Sequence, residues 1–174
     1  MTIYTNNTMK LTQVLESFPI MEMLNTKLDE PVVWEQEHQQ DICKCSIDNG
    51  SIGLKLVISA ITYKQLSGLR VGFLLWNGTD YVEHIGAVST ISSAKVIGAV
   101  TNALLDRLND YEWDFIVADA KDAVAVRMKL YTRIVERIAR SNSWQYGSGV
   151  VNNIGIAVVS KEHSCQDIID NIRD

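Results

Sequence analysis

The stretch Asp41-Ile42-Cys43-Lys44-Cys45-Ser46-Ile47-Asp48-Asn49-Gly50-Ser51-Ile52 decides how the chain is read. Cys43, Cys45 and Ile47 alternate with Lys44 and Ser46, the two-residue period of a half-buried strand. Asn49-Gly50 supplies the positive backbone dihedrals of a tight hairpin turn. The return strand is expected from about Ile52 to Tyr63, with Leu54, Leu56 and Ile58 on one face. A Ser67-Gly68 turn then leads into Arg70 to Trp76, and Asn77-Gly78 into Tyr81 to Val88. Four strands on short turns make an antiparallel meander.

Upstream, Leu11, Val14, Leu15 and Phe18 recur at helical spacing, with Thr8 as a cap and Pro19 as the stop or kink. Leu28 to Pro31 reads as a turn into an extended lead-in around Val32-Val33-Trp34, and Glu35, Glu37, His38 and Asp41 form a polar cluster. Downstream the period changes to that of a helix. Ser92 or Ser93 can cap a helix whose apolar stripe is Ile97, Val100, Leu104, Leu108 and Tyr111. Phe115-Ile116-Val117-Ala118 is a short apolar run of buried-strand type, and a strand that follows a crossover helix pairs parallel to an earlier one. Asp122 is expected to cap a second helix that buries Val124, Met128, Tyr131, Val135 and Ile138. Trp144 to Tyr146 and Ile154 to Val159 read as a final strand pair, separated by a Gly147-Ser148-Gly149 and Asn152-Asn153 region. Cys165 to Ile172 reads as a short terminal helix.

The chain has 174 residues, 47% of them hydrophobic and 21% charged, which excludes disorder and suits one domain. A domain of that size buries roughly 70% of the surface its unfolded chain exposes, so neither disulfides nor a metal is needed for a core. The formal net charge of -5 argues against a general coating of nucleic acid. Met1 to Asn7 is no secretory leader, and no run reaches the ~20 apolar residues of a membrane-spanning helix. The expectation is a cytoplasmic protein. Three cysteines fit free thiols, and with His38, His84 and His163 scattered along the chain no metal is expected.

The segment Asp114-Phe115-Ile116-Val117-Ala118-Asp119-Ala120, followed by Val126-Arg127-Met128-Lys129-Leu130-Tyr131-Thr132-Arg133-Ile134, resembles the acetyl-CoA-dependent N-acetyltransferase (GNAT) superfamily. It also resembles bacteriophage proteins with a GNAT-like core, through Arg127, Leu130, Tyr131 and Arg133. The resemblance implies an α+β fold: a mixed, mainly antiparallel sheet flanked by helices, with an N-terminal helix added. One domain over 1–174 is expected, with a helical extension and lead-in over 1–40, the core over 41–160 and a helical tail over 161–174. In such enzymes a Tyr at the position of Tyr131 serves as general acid toward the departing thiolate, and a glycine-rich loop holds the cofactor pyrophosphate. Here that loop, Val88 to Lys95, has no glycine, and Ser92, Ser93 and Lys95 are the groups left to meet an anion. Ordinary helix capping accounts for the serines equally well. Tyr131 lies on its helix's apolar stripe, where a packed ring is the simpler role.

No Gly-x-Ser-x-Gly elbow, P-loop or His-Glu-x-x-His run occurs; the candidate bases are His84 and the Glu35, Glu37, His38 and Asp41 cluster, which is more simply a solvated lead-in. Five cations between Arg127 and Arg140, with Glu136 the only acid among them, make Arg133, Arg137 and Arg140 candidates for an acidic partner surface. The resemblance and the lost glycines together point to a non-catalytic, phage-encoded module acting through protein–protein contacts, in a virion or in assembly, with a protein partner or further copies of itself and no cofactor. The alternatives are an acetyl-CoA-dependent N-acetyltransferase using Tyr131, Ser92, Ser93 and Lys95, and a phage inhibitor of a host factor that docks through a sheet edge or the N-terminal helix.

Overall fold

The computed structural model describes residues 28–82, 90–121 and 125–172, and for 90–94 and 125–127 the backbone alone. The expected N-terminal helix, the stretch beyond Val82, including Glu83 and His84, and the Asp122 cap lie outside the described residues. In chain order the elements are β1 (Glu35–Glu37), β2 (Gln40–Ile47), β3 (Ile52–Tyr63), β4 (Leu66–Trp76), β5 (Tyr81–Val82), α1 (Thr90–Leu108), β6 (Phe115–Ala120), α2 (Ala125–Asn142), β7 (Gln145–Val151), β8 (Ile154–Ser160) and α3 (Cys165–Asn171).

The strands form one sheet in the order β1-β2-β3-β4-β6-β8-β7, with β5 also on β4. Every pairing is antiparallel except β4 with β6, which is parallel, as expected across a helical crossover. The architecture is α+β.

Alternation places the two faces. Cys43, Ile47, Leu54, Leu56, Ile58, Val71, Phe73 and Leu75 are buried on the side that receives Val96, Val100 and Leu104 of α1 and Ile134, Val135 and Ile138 of α2. The opposite face is covered over β6, β7 and β8 by α3, whose Cys165, Ile168 and Ile169 meet Phe115, Val117, Ile156 and Val158. Ser164 caps that helix, its hydroxyl accepting the Asp167 N–H at 3.3 Å. Ahead of the meander, the Asp29 carboxylate accepts the backbone N–H groups of Asn49 and Gly50 and the Ser46 hydroxyl, tying the lead-in to the β2–β3 turn.

Glycines account for two corrections. Ser67 and Gly68 form no turn; they lie inside β4, and the chain reverses at Lys64 and Gln65, with Lys64 at φ 54°. Gly68 is needed because the Phe115 ring fills the space its Cβ would take. Gly147, Ser148 and Gly149 likewise belong to β7, and only Asn152 and Asn153 make the turn. A Cβ on Gly147 would lie 3.2 Å from Cβ of Cys165, and one on Gly149 would lie 3.1 Å from Cγ2 of Ile169. Close approach of α3, not chain reversal, explains both. Glu35–Glu37, read as a solvated lead-in, forms a short edge strand on β2. Ser92 and Ser93 fall inside the first turn of α1 rather than before it.

Gly68→Ala should lower unfolding free energy by about 1–3 kcal/mol, the usual cost of overpacking a core. Gly72→Ala, where a Cβ meets nothing within 4 Å, should be neutral or slightly stabilising; urea denaturation of both variants checks the contrast. The three donors around Asp29 hold its carboxyl below the ordinary value of 3.8, the Gly50 N–H contributing most. Its stabilisation is therefore present above that value and lost as pH falls through the lower, folded-state value. The stability gap between the native chain and Asp29→Ala should be flat at neutral pH and close only in acid beyond the ordinary carboxylate range.

Candidate functional site

The parallel contact of β4 with β6 is short. It covers Gly68↔Phe115, Leu69↔Ile116 and Arg70↔Val117 and then stops. Beyond it β4 runs on to Trp76, pairing with β5 at Leu75↔Val82, while β6 continues to Ala120 against β8. The two strands therefore make a fork. Asp114 pins its closed end: its N–H donates to the Ser67 carbonyl at 2.7 Å and its carboxylate accepts the Ser67 N–H at 2.8 Å. Its carbonyl accepts the Lys161 N–H at 3.1 Å, which draws in the end of β8 as well.

Side chains of the protein itself occupy both sides of the fork. On the helix side the Tyr131 ring reaches from α2 to the diverged part of β4 and packs edge-on against Phe73, centroids 5.5 Å apart. Tyr131 is 4% exposed and Phe73 2%. On the other side Arg70 Nε lies 3.3 Å from Asp119 Oδ1, an ion pair that bridges the two strands where they part. The cavity beside that pair, which also touches Val117, Asn152 and Ile156, is about 160 Å³. Small-molecule sites start at about 300 Å³.

Of the residues expected to meet a cofactor, Lys95 and Tyr131 have described side chains. Lys95 donates from Nζ to Asp48 Oδ1 at 2.7 Å, tying α1 to the β2–β3 turn. The side chains of Ser92 and Ser93 lie outside the described residues. Tyr131 sits in the fork, on the apolar stripe that its spacing indicated, as a core ring. A thioester arm in the fork would have to displace the Phe73–Tyr131 pair.

The three arginines expected to face a partner separate into two kinds. Arg137 turns inward: it donates from Nη2 to Asn102 Oδ1 of α1 at 3.0 Å, and burial pushes its guanidinium below the ordinary value. Arg133 and Arg140 stay at the surface and converge on Glu136, at 3.1 Å from Oε2 and 2.7 Å from Oε1. The Tyr146 hydroxyl of β7 donates to the same Oε1 at 3.3 Å. With Met128, Lys129, Thr132 and Val150, the side chains of Arg133, Glu136 and Tyr146 line an open groove of about 480 Å³ between α2 and β7.

Other polar clusters are structural. Asp41 accepts from Arg107 Nη2 at 2.6 Å and from the Tyr111 hydroxyl, joining β2 to the end of α1. That removes Asp41 from the polar lead-in as a candidate base. A thiol contact with Cys43 and burial both push Cys45 up, and burial pushes Cys165 up, so neither is a ready thiolate. His38 is an exposed turn residue at φ 49°, and among the described residues no cluster of His, Cys, Asp and Glu is placed to hold a metal. Among the described residues no helix is long and apolar enough to cross a membrane.

Sequence reasoning missed Phe73, Arg70 and Asp119 as a set, while Glu136, read as the one acid among the α2 cations, does pair with Arg133 and Arg140. The available signal was a single charge, Arg70, in the otherwise apolar run Leu69 to Trp76, and a matching acid, Asp119, closing the apolar run Phe115 to Ala118.

If the Tyr131 ring is a core group, Tyr131→Ala should lower unfolding free energy by about 3–5 kcal/mol in urea denaturation, as loss of a buried aromatic ring does. A loss below about 1 kcal/mol would show a ring that packs nothing. Comparison of the chain with protein-family models, with curated proteins and with solved structures finds no match.

Proposed function

We propose that this chain is a GNAT-like module without acyl-transfer chemistry, working through protein–protein contacts as a bacteriophage virion-associated or assembly component. The order of meander, helix, strand, helix and hairpin, with one short parallel contact that opens into a fork, supports the GNAT-like reading. The phage assignment rests on Arg127, Leu130, Tyr131 and Arg133 in the run that opens α2. The observation that carries the functional half is the filling of the fork by Phe73 and Tyr131. A fork already packed with rings offers no slot for a thioester, and Lys95 is paired with Asp48 instead of standing at an anion site. What the domain presents instead is surface: cations on α2 beside a strand edge that is unpaired among the described residues.

Titration calorimetry with acetyl-CoA tests the reading. No heat and no thermal shift are expected at about 1 mM cofactor, so any binding is weaker than about -4 kcal/mol. Micromolar binding, together with acetyl transfer that Tyr131→Phe abolishes in a stably folded protein, would establish the acetyltransferase reading instead.

A further inference from the structure

We propose that the edge of β7, which is unpaired among the described residues, receives an extended acidic segment of a partner protein, which adds to the sheet as a further strand alongside α2. The inference rests on the reading that the domain works through protein contacts, and it names the surface and the chemistry of the partner.

The two ends of the sheet differ. At one end β1 is three residues long and carries exposed Glu35 and Glu37, which is how edges are kept from pairing. At the other end β7 runs for seven residues, Gln-Tyr-Gly-Ser-Gly-Val-Val, with no charge and no proline. Asn152 and Asn153, at φ 50° and 65°, make a two-residue turn that closes Val151↔Ile154 as a hydrogen-bonded pair. Gly149↔Ile156 and Gly147↔Val158 are then bonded pairs too. Tyr146, Ser148 and Val150 consequently turn their N–H and C=O groups away from β8, toward the open side. Their side chains lie on the α2 face, where Tyr146 is 42% and Val150 62% exposed.

Charge selects the occupant. The α2 wall of the groove carries Lys129 and Arg133 beside Glu136, with Arg140 one helical turn beyond, in a chain whose net charge is -5. The Arg140 side chain is 69% exposed and keeps donors beyond its bond to Glu136. A strand laid on β7 places alternate side chains beside this wall, so carboxylates at every second position would be met by cations. A second copy of this chain is disfavoured by the same charges. Pairing β7 with itself about Ser148 would set two cationic helices side by side on one face.

Ser148→Pro is the discriminating variant. Proline there removes an outward N–H and places its ring where the added strand would lie, yet leaves every bond to β8 intact. The probe is a capped peptide of alternating Glu and Val, with the Lys/Val peptide as control, followed by fluorescence anisotropy. The expected result is binding of the acidic peptide that weakens with salt. Ser148→Pro should weaken it about tenfold or more at unchanged melting temperature, and Lys129→Glu with Arg140→Glu should weaken it similarly. Equal binding of both peptides, no binding of either, or indifference to Ser148→Pro would overturn the proposal. So would a concentration-dependent dimer that Ser148→Pro abolishes, which would assign the edge to a second copy. Acetyl-CoA binding would sink the underlying reading without altering these outcomes, so the two failures are distinguishable.

Discussion

The Phe115 ring occupies the space where Gly68 would carry a side chain, and this contact sets how β4 and β6 meet. A parallel pair joined by a helical crossover has no hairpin turn to set its register, so side-chain packing must do it. Here a fully buried ring opposite a residue without a Cβ leaves one register open. Asp114 then locks it with paired bonds to Ser67 and a third to Lys161. From that fixed corner β4 follows the meander and β6 follows β8. Their divergence after Arg70 and Val117 is a consequence of two sheet halves anchored at one end only.

A fork in a sheet exposes backbone groups and apolar side chains unless something fills it. This chain closes it with a Phe73–Tyr131 ring pair on one side and an Arg70–Asp119 ion pair on the other. The rings are deeply buried and exclude water from the core. The ion pair is partly solvated, so its Coulombic gain is screened and its role is chiefly to fix where the strands part. The same α2 that delivers Tyr131 inward holds Arg133 and Arg140 on Glu136 at the surface, because residues a few positions apart on a helix cover opposite sides. One helix therefore both seals the fork and builds the cationic wall beside β7.

Much of this was legible along the chain. Alternation from Cys43 to Ile47, the Asn49-Gly50 and Asn77-Gly78 turns and the run Phe115 to Ala118 marked strands that form, and the β3 limits came out as read. Periodicity placed Tyr131 on the buried stripe of α2. Glycine misled at Ser67-Gly68 and Gly147-Ser148-Gly149, because a glycine needed for close approach looks in sequence like one needed for a turn. Arg137 was grouped with Arg133 and Arg140 for its charge, although it reaches α1 and Asn102.

Local patterns determined the elements, their order and which residues face inward, since each depends on neighbours within a few positions. The tertiary fold alone decided what packs at the fork, which arginines stay at the surface and which strands end the sheet among the described residues. Those features join residues such as Phe73 and Tyr131, or Arg70 and Asp119, that meet only once the sheet has closed around its parallel contact.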